Sequence, residues 1–95
     1  MKIWVDDIRT PPDGWLWFKT SAETIDFLYR AYFGGSAGLP VEVMSLDHDL
    51  GGDDTTRPIV LWMCEKEIWP VEVRVHSANP VGVEWLEGMI ERYKP

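Results

Sequence analysis

The chain contains a single cysteine, Cys64, and lacks any long run of apolar residues. One cysteine excludes an internal disulfide, and because Cys64 directly follows the apolar segment Ile59–Met63, we expect a packed thiol in a reducing compartment. No apolar stretch approaches the ~20 residues that a membrane-spanning helix needs. The opening segment Met1–Asp7 is too poor in apolar residues for a signal peptide. These absences predict a cytoplasmic protein without a membrane partner.

Positive charge is scarce as well. Nine Lys and Arg residues stand against 16 Asp and Glu residues, which gives a formal net charge of −7. Binding to long nucleic acid relies on Lys and Arg side chains that displace counterions from phosphates, so this class of partner is not expected. A small phosphorylated ligand is compatible with the charge if a cation mediates the contact. The sequence leaves open whether the chain forms a homo-oligomer.

The 95 residues suffice for one domain, residues 1–95, and six tryptophans provide large apolar area for its core. Short β-prone runs alternate with helical patterns in the order β-β-α-β-α-β-α, which predicts an α/β fold. The predicted strands are Ile3–Val5, Trp15–Phe18, Val41–Leu46 and Val71–Val75. The predicted helices run from Thr20 or Ser21 to Gly34–Gly35, from near Thr56 to Ile68–Pro70, and along the apolar stripe of Leu86, Met89, Ile90 and Tyr93.

The connections between strands predict how the sheet is built. The later strands are joined through helices, which favours parallel pairing with right-handed crossovers. The first connection, Asp6–Gly14, is shorter than the dozen or so residues of a typical parallel crossover and contains two prolines. Two arrangements therefore remain open: the second strand runs antiparallel to the first, or the loop crosses over in extended form.

Acidic residues follow two of the predicted strands at the point where each strand ends. Asp6 and Asp7 come after the first strand, and Asp47 and Asp49 come after the third. Ligands bind at this carboxyl edge in open α/β sheets, and carboxylate oxygens are ligands that suit Mg²⁺ or Mn²⁺. Without a cation, mutual repulsion would raise the pKa of one carboxyl group. The alternative is that one or two of these acids only cap turns or the next helix. We favour a site, because both histidines of the chain also lie at strand ends.

Both histidines, His48 and His76, are candidates for proton transfer. On extended backbone Asp47 and Asp49 share one face while His48 points the other way, which favours a packing role for His48. If the loop has already begun at this point, His48 stays available as a metal ligand or general acid/base. His76 is the stronger candidate, because it follows the fourth strand directly.

The segment after the last strand, Ser77–Gly82, is rich in small residues and precedes the last helix. Backbone N–H groups at such a turn can approach a phosphate, which makes Ser77, Asn79 and Gly82 candidate substrate-binding residues. The alternative is that Ser77 or Asn79 serves only as an ordinary helix cap.

Positively charged side chains near the acids are candidates for anion binding. Arg9 lies just past the paired aspartates, and its guanidinium group is suited to a bidentate contact with an anionic ligand. An ordinary surface salt bridge to a nearby aspartate is the alternative. Lys19 and Arg57 are lesser candidates of the same kind.

Three segments carry a family resemblance: Val5–Arg9 with the prolines that follow, Ser45–Gly51, and Val75–Gly82. Together they resemble the cyclic-phosphate processing receiver-like domain, a small relative of response-regulator receivers, over nearly the whole chain. The resemblance implies a receiver-like (flavodoxin-like) sheet of four mostly parallel strands in the order 2-1-3-4, flanked by three helices. It also implies acids that hold a divalent ion and a role with cyclic phosphates of nucleotides or RNA ends. A signalling receiver has a lysine directly after its last strand and an isolated aspartate as phosphoacceptor. Here no lysine directly follows Val75 and His48 adjoins the acids, so signalling through an aspartyl phosphate is not expected.

The hypothesis from the sequence is a metal-dependent phosphoesterase that opens a cyclic phosphate, such as a cyclic nucleotide or a 2′,3′-cyclic RNA end. Three alternatives remain: a non-catalytic receiver-like module that binds a cyclic nucleotide or a protein partner, metal-free acid/base catalysis by the two histidines, and an adaptor whose edge residues are caps. In the leading hypothesis, Asp6, Asp7 and Asp47 hold Mg²⁺ or Mn²⁺, with Asp49 as a further ligand candidate; His76, His48 and Asp49 are catalytic, and Arg9, Ser77, Asn79 and Gly82 bind the substrate.

Overall fold

The computed structural model describes residues 1–34 and 41–95, and every predicted strand and helix is present in this part of the chain. The strands are β1 (Lys2–Val5), β2 (Leu16–Phe18), β3 (Val43–Leu46) and β4 (Glu72–Val75). The helices are α1 (Ser21–Phe33), α2 (Arg57–Lys66) and α3 (Pro80–Tyr93). Gly34 follows α1 directly, as expected, whereas Gly35 lies outside the described residues. Within the two described ranges, none of the helices has the length and apolar character needed to span a membrane.

The four strands form one parallel sheet in the order β2-β1-β3-β4, which confirms the receiver-like α/β class. β1 and β2 pair in parallel, with Ile3 opposite Leu16. The antiparallel alternative for the second strand is therefore wrong, and the connection Asp6–Trp15 crosses over in extended form. β4 lies at the edge of the sheet, and its alternate residues Glu72 and Arg74 are exposed to solvent.

The direction of each crossover decides which face of the sheet it covers. The chain moves one way along the sheet from β1 to β2 and the opposite way from β2 to β3, so right-handed crossovers place these two connections on opposite faces. The face away from the helices is covered by the extended connection. Trp4 packs edge-on against Trp15 at 5.9 Å between ring centroids and donates its indole N–H to the Arg9 carbonyl at 2.8 Å.

The hydrophobic core lies between the other face of the sheet and all three helices. Alternate strand residues point into it, and they join side chains of every helix in one cluster. Each fully buried Ile, Leu or Met side chain in this cluster contributes about 1.5–3 kcal/mol to folding. The strand members include Ile3, Val5, Met44 and Leu46, and the helix members include Leu28, Ile59, Val60, Met63 and Leu86.

The helices after β3 and β4 both begin at the carboxyl edge of the sheet. Thr56 precedes α2 and donates its hydroxyl group to the Asp47 carbonyl at 2.6 Å, which ties the helix to the loop after β3. Asn79 caps α3, because its side-chain oxygen accepts the N–H of Gly82 at 3.1 Å, and Pro80 occupies the first turn. Loop residues at this edge are therefore held by helix starts.

Candidate functional site

Three carboxyl groups meet where β1 and β3 end. Asp6 and Asp7 follow β1 and Asp47 follows the neighbouring β3, and one oxygen from each lies within 4.8 Å of the others. Asp6 is almost fully buried, while the other two are half-buried. The parallel pairing of β1 and β3 brings their ends to the same place, which is why residues about 40 positions apart in the chain form one cluster.

Asp6 is fixed on both of its oxygens. Oδ1 accepts the backbone N–H groups of Ile8 and Arg9, each at 2.9 Å, and Oδ2 lies 3.0 Å from Nε2 of His76. Burial by itself would raise the pKa of Asp6, but these hydrogen bonds outweigh it and lower the pKa below its usual value. The Asp6 carboxylate is therefore ionised at neutral pH and accepts every hydrogen bond made to its two oxygens.

His76 is held on both ring nitrogens and on one ring face. Nε2 faces Asp6, Nδ1 lies 2.6 Å from the hydroxyl oxygen of Ser45, and the ring stacks on Trp4 with centroids 3.9 Å apart. Burial lowers the pKa of His76 although the pairing with Asp6 opposes this shift, so the imidazole is neutral at pH 7. Because ionised Asp6 can only accept, Nε2 carries the proton and Nδ1 accepts from Ser45. The side chain of His76 thus orients Asp6, and neither nitrogen is free.

Asp7 and Asp47 differ in how they are held. The Asp47 Oδ1 atom accepts the backbone N–H of His48 at 2.8 Å. Asp7 makes no hydrogen bond or ion pair within residues 1–34 and 41–95. A Cβ atom on Gly51 would lie 3.1 Å from Asp7 Oδ2, and Gly51 has a φ of +88°, so glycine gives this carboxylate its room.

A pocket of about 330 Å³ opens beside the acidic cluster. Its volume is within the range of small-molecule sites. A larger groove of about 590 Å³ between α2 and α3 contains Trp85 and Met89 but no acidic cluster of this kind. The smaller pocket is therefore the better candidate for chemistry. Its lining consists of Asp7, Ile8, Arg9, Asp47, Asp49, Gly51, Ser77, Ala78 and Asn79.

Arg9 provides positive charge at the rim of this pocket. Its Nη1 donates to the His76 carbonyl at 2.6 Å and lies 3.8 Å from Asp6 Oδ2, and about half of the side chain is exposed. Among the residues that the structure describes, none pairs with its Nη2. The guanidinium group is thus anchored on one nitrogen and can contact an anion with the other.

The small-residue segment after β4 contributes two side chains to the pocket. Ser77 accepts the N–H of Asn79 at 3.2 Å, and Asn79 donates its amide to Asp49 Oδ2 at 3.0 Å while capping α3. Gly82, which we expected at the substrate, is buried outside the pocket lining, and its N–H is already bonded to Asn79. Asn79 therefore combines the capping role and the pocket position that the sequence left as alternatives.

His48 lies behind the pocket and not in it. Only 5% of His48 is exposed, and it points away from the acidic cluster, as strand alternation predicts. Its Nδ1 lies 3.1 Å from Asp49 Oδ1, and its Nε2 accepts the Nε–H of Arg57 at 2.9 Å. Asp49 itself lies in the pocket lining and outside the three-carboxylate cluster.

Two residues near the cluster were missed by reasoning from the sequence. Ser45 and Trp4 both contact His76, on its Nδ1 atom and its ring face. The signal for Ser45 was a lone polar residue in a buried strand, two positions before Asp47 and hence on the same face. The sequence contained no signal for Trp4, because its contact with His76 depends on how β1 and β3 pair.

The donor set fits a hard divalent cation. All three ligand groups are carboxylates, and two of them, Asp6 and Asp47, are oriented by backbone N–H groups. Asp7 is left without a protein partner in the described part of the chain. Arg9 and His76 pair with Asp6, whereas no Lys or Arg nitrogen of the described residues forms an ion pair with Asp7 or Asp47.

A parallel sheet in the order 2-1-3-4 with acids after β1 and β3 defines a receiver-like α/β domain. The chain belongs to the family of cyclic-phosphate processing receiver domains, whose family model matches residues 1–92. A comparison with curated proteins and one with solved structures gave no match. The name of this family associates its receiver domains with cyclic-phosphate processing.

Proposed function

We propose that this domain hydrolyses cyclic phosphates of nucleotides or RNA ends with the help of Mg²⁺ or Mn²⁺. The observation that carries the proposal is one pocket that is lined by two carboxylates of the acidic cluster and also by Arg9 and Ser77, which can donate hydrogen bonds to a phosphate. Asp6, Asp7 and Asp47 would hold the cation. When bound, a divalent cation polarises a phosphoryl group and lowers the pKa of a coordinated water.

The phosphate would be held by hydrogen-bond donors of the pocket lining. Arg9 offers the unpaired nitrogen of a guanidinium that is already anchored to the His76 carbonyl. The Ser77 hydroxyl and the turn before α3 offer further donors beside the helix N-terminus. Because these groups are held by backbone hydrogen bonds, little ordering is needed when a substrate binds.

The proton in this reaction is assigned to Asp49. Hydrolysis adds water to phosphorus, breaks one P–O bond of the ring and leaves the water proton on the freed oxygen. Asp49 lies in the pocket lining with most of its side chain exposed, where its carboxylate can accept the water proton and return it to the leaving oxygen. The hydrogen bond from Asn79, and then that from His48, lowers the pKa of Asp49 and keeps this carboxylate ionised at neutral pH. General acid/base catalysis of this kind contributes about 10²–10⁴-fold. His76 and His48 do not contact the substrate in this proposal; they hold the side chains of Asp6 and Asp49 in place.

A second candidate function is binding without turnover. One observation favours it: both ring nitrogens of His48 and of His76 are bonded within the protein, so neither imidazole faces the pocket. In that case the domain would sequester a cyclic nucleotide or an RNA end at the same surface.

The experiment is an assay of 2′,3′-cyclic and 3′,5′-cyclic nucleotides and of short RNA with a 2′,3′-cyclic end, with Mg²⁺, with Mn²⁺ and with excess EDTA. We expect a phosphomonoester product that depends on the cation and is lost in Asp7→Asn, which removes a charge without breaking a protein hydrogen bond. Asp13→Asn, an exposed acid in the β1–β2 connection, is the matched control and should retain full activity.

The other outcomes separate the alternatives. Tight binding without product that survives EDTA would support the binding module. Turnover that persists in EDTA would reject the cation and favour metal-free catalysis. Absence of both binding and product for all of these substrates would reject the proposal.

A further inference from the structure

The His48 side chain is buried, and both of its ring nitrogens have hydrogen-bond partners within the protein. His48 is a buried residue of the loop after β3, and its carbonyl accepts the N–H of Thr56 at 2.9 Å. Its ring lies against the backbone of Gly82, where an added Cβ would come within 2.7 Å of His48 Cβ and Cδ2. The ring therefore has a single place in the packed interior.

The hydrogen bond from Arg57 decides which ring nitrogen of His48 carries the proton. The guanidinium group is always protonated, so its Nε–H can only donate, and Nε2 of His48 must offer a lone pair at 2.9 Å. A neutral imidazole with a lone pair on Nε2 has its proton on Nδ1. That Nδ1–H points at Asp49 Oδ1, 3.1 Å away.

Asp49 is exposed over most of its side chain, yet both of its oxygens are bonded. Oδ1 accepts from His48, and Oδ2 accepts from Asn79, which also caps α3. A chain of hydrogen bonds thus runs from Arg57 at the start of α2, through His48 and Asp49, to the start of α3. Arg57 is itself held in place by stacking on Trp85, with 4.7 Å from the guanidinium carbon to the ring centroid.

We infer that Arg57 is a positioning residue: it fixes the Nδ1–H tautomer of His48, and this proton aims the Asp49 carboxylate into the pocket. The inference deepens the proposed function, on which the role of Asp49 in turnover rests. The tautomer itself depends only on the three side chains and can be measured without a substrate.

The test is ¹⁵N NMR of the His48 ring, which separates a protonated nitrogen from one with a lone pair. Asp49 also favours a proton on Nδ1, so the decisive background is Asp49→Ala, in which Arg57 alone acts on the ring. We expect Asp49→Ala to keep a single Nδ1–H tautomer. We expect the double variant Asp49→Ala/Arg57→Met to populate the Nε2–H form.

The matched control is Asp49→Ala/Arg92→Met, because Arg92 lines the same groove as Arg57 without contacting His48. This control should keep the Nδ1–H tautomer. An Nε2–H signal already in Asp49→Ala, or an unchanged tautomer in the double variant with Arg57→Met, would overturn the inference. Arg57→Lys in the same background retains an N–H donor and should recover the Nδ1–H form, which excludes a general loss of packing.

Turnover provides a second readout. In the otherwise unchanged chain, Arg57→Met should lower kcat by about 10- to 100-fold with little change in KM, as is typical when a group that orients an active side chain is removed. Arg57→Lys should recover part of the loss and Arg92→Met should show none. If the unchanged chain has no turnover, the proposed function fails while the NMR result still decides the role of Arg57. Equal kcat values for Arg57→Met and Arg92→Met would contradict the aiming of Asp49.

Discussion

Replacing Gly82 by alanine probes the contact between α3 and His48. In the wild-type fold the added methyl group would lie within 2.7 Å of His48 Cβ and Cδ2 and nearer still to Cγ. The ring cannot swing away cheaply, because Arg57 and Asp49 hold its two nitrogens. Either α3 or His48 must therefore shift.

The expected magnitude combines two opposing effects. Overpacking a core contact costs up to about 3 kcal/mol, whereas Gly→Ala inside a helix gains about 1 kcal/mol, so the net loss at Gly82 is about 2 kcal/mol. Gly88 is the matched control, since it lies in the same helix with nothing within 4 Å of an added Cβ. Gly88→Ala should therefore gain about 1 kcal/mol.

The assay is urea unfolding of both variants beside the wild type, supported by thermal melts. A loss of about 2 kcal/mol lowers Tm by roughly 8–16 °C in a domain of this size, and the Gly88→Ala variant should melt above the wild type. Equal stabilities for the two variants would refute the enclosed position of His48. The ¹⁵N signals of His48 should also shift in Gly82→Ala and stay in place in Gly88→Ala.

Further predictions concern the acidic cluster without and with a cation. In EDTA, the free energy of unfolding should fall as the pH drops below about 6.5, because the unfolded chain binds a proton that folded, partly buried His76, with its lowered pKa, does not bind. A second fall should begin below about pH 4, where unfolded Asp6 is protonated before folded Asp6 with its lowered pKa. Urea titrations at stepped pH check both, and a flat profile from pH 7 to 5 would contradict the first. Asp7→Asn should raise Tm in EDTA, since each neighbouring carboxylate costs about 1 kcal/mol in repulsion, and should abolish the Tm increase on adding Mg²⁺. If Mg²⁺ raised the Tm of Asp7→Asn as much as that of Asp13→Asn, this would contradict cation binding by the three carboxylates.

The meeting of the acids could be predicted from the sequence alone. Apolar runs followed by Asp6, Asp7 and Asp47, with helices between the later strands, bring these residues to one edge whatever the details of packing. The direction of β2 could not be predicted, because the length of the first connection allowed either a parallel or an antiparallel strand. Once β2 runs parallel to β1, right-handed crossovers place the first connection, which ends at Trp15, on the face that the helices leave open.

The surroundings of each histidine depend on contacts between distant parts of the chain. Alternation along the strand correctly placed His48 away from Asp47, but its partner Arg57 and its close contact with Gly82 arise only when α2 and α3 pack. His76 was expected to face the ligand, and the structure places both of its nitrogens on protein groups. Rotamers and hydrogen-bond partners of this kind follow from three-dimensional packing, which residue spacing does not contain.

The most direct test of the account is a crystal structure with Mn²⁺ and a non-hydrolysable cyclic phosphate analogue, read by anomalous scattering. We expect one Mn²⁺ peak bound by Asp6, Asp7 and Asp47, with the phosphate of the analogue in contact with Arg9 or Ser77. A saturating soak that leaves the three carboxylates without an anomalous peak, or that places the analogue elsewhere on the domain, would contradict it.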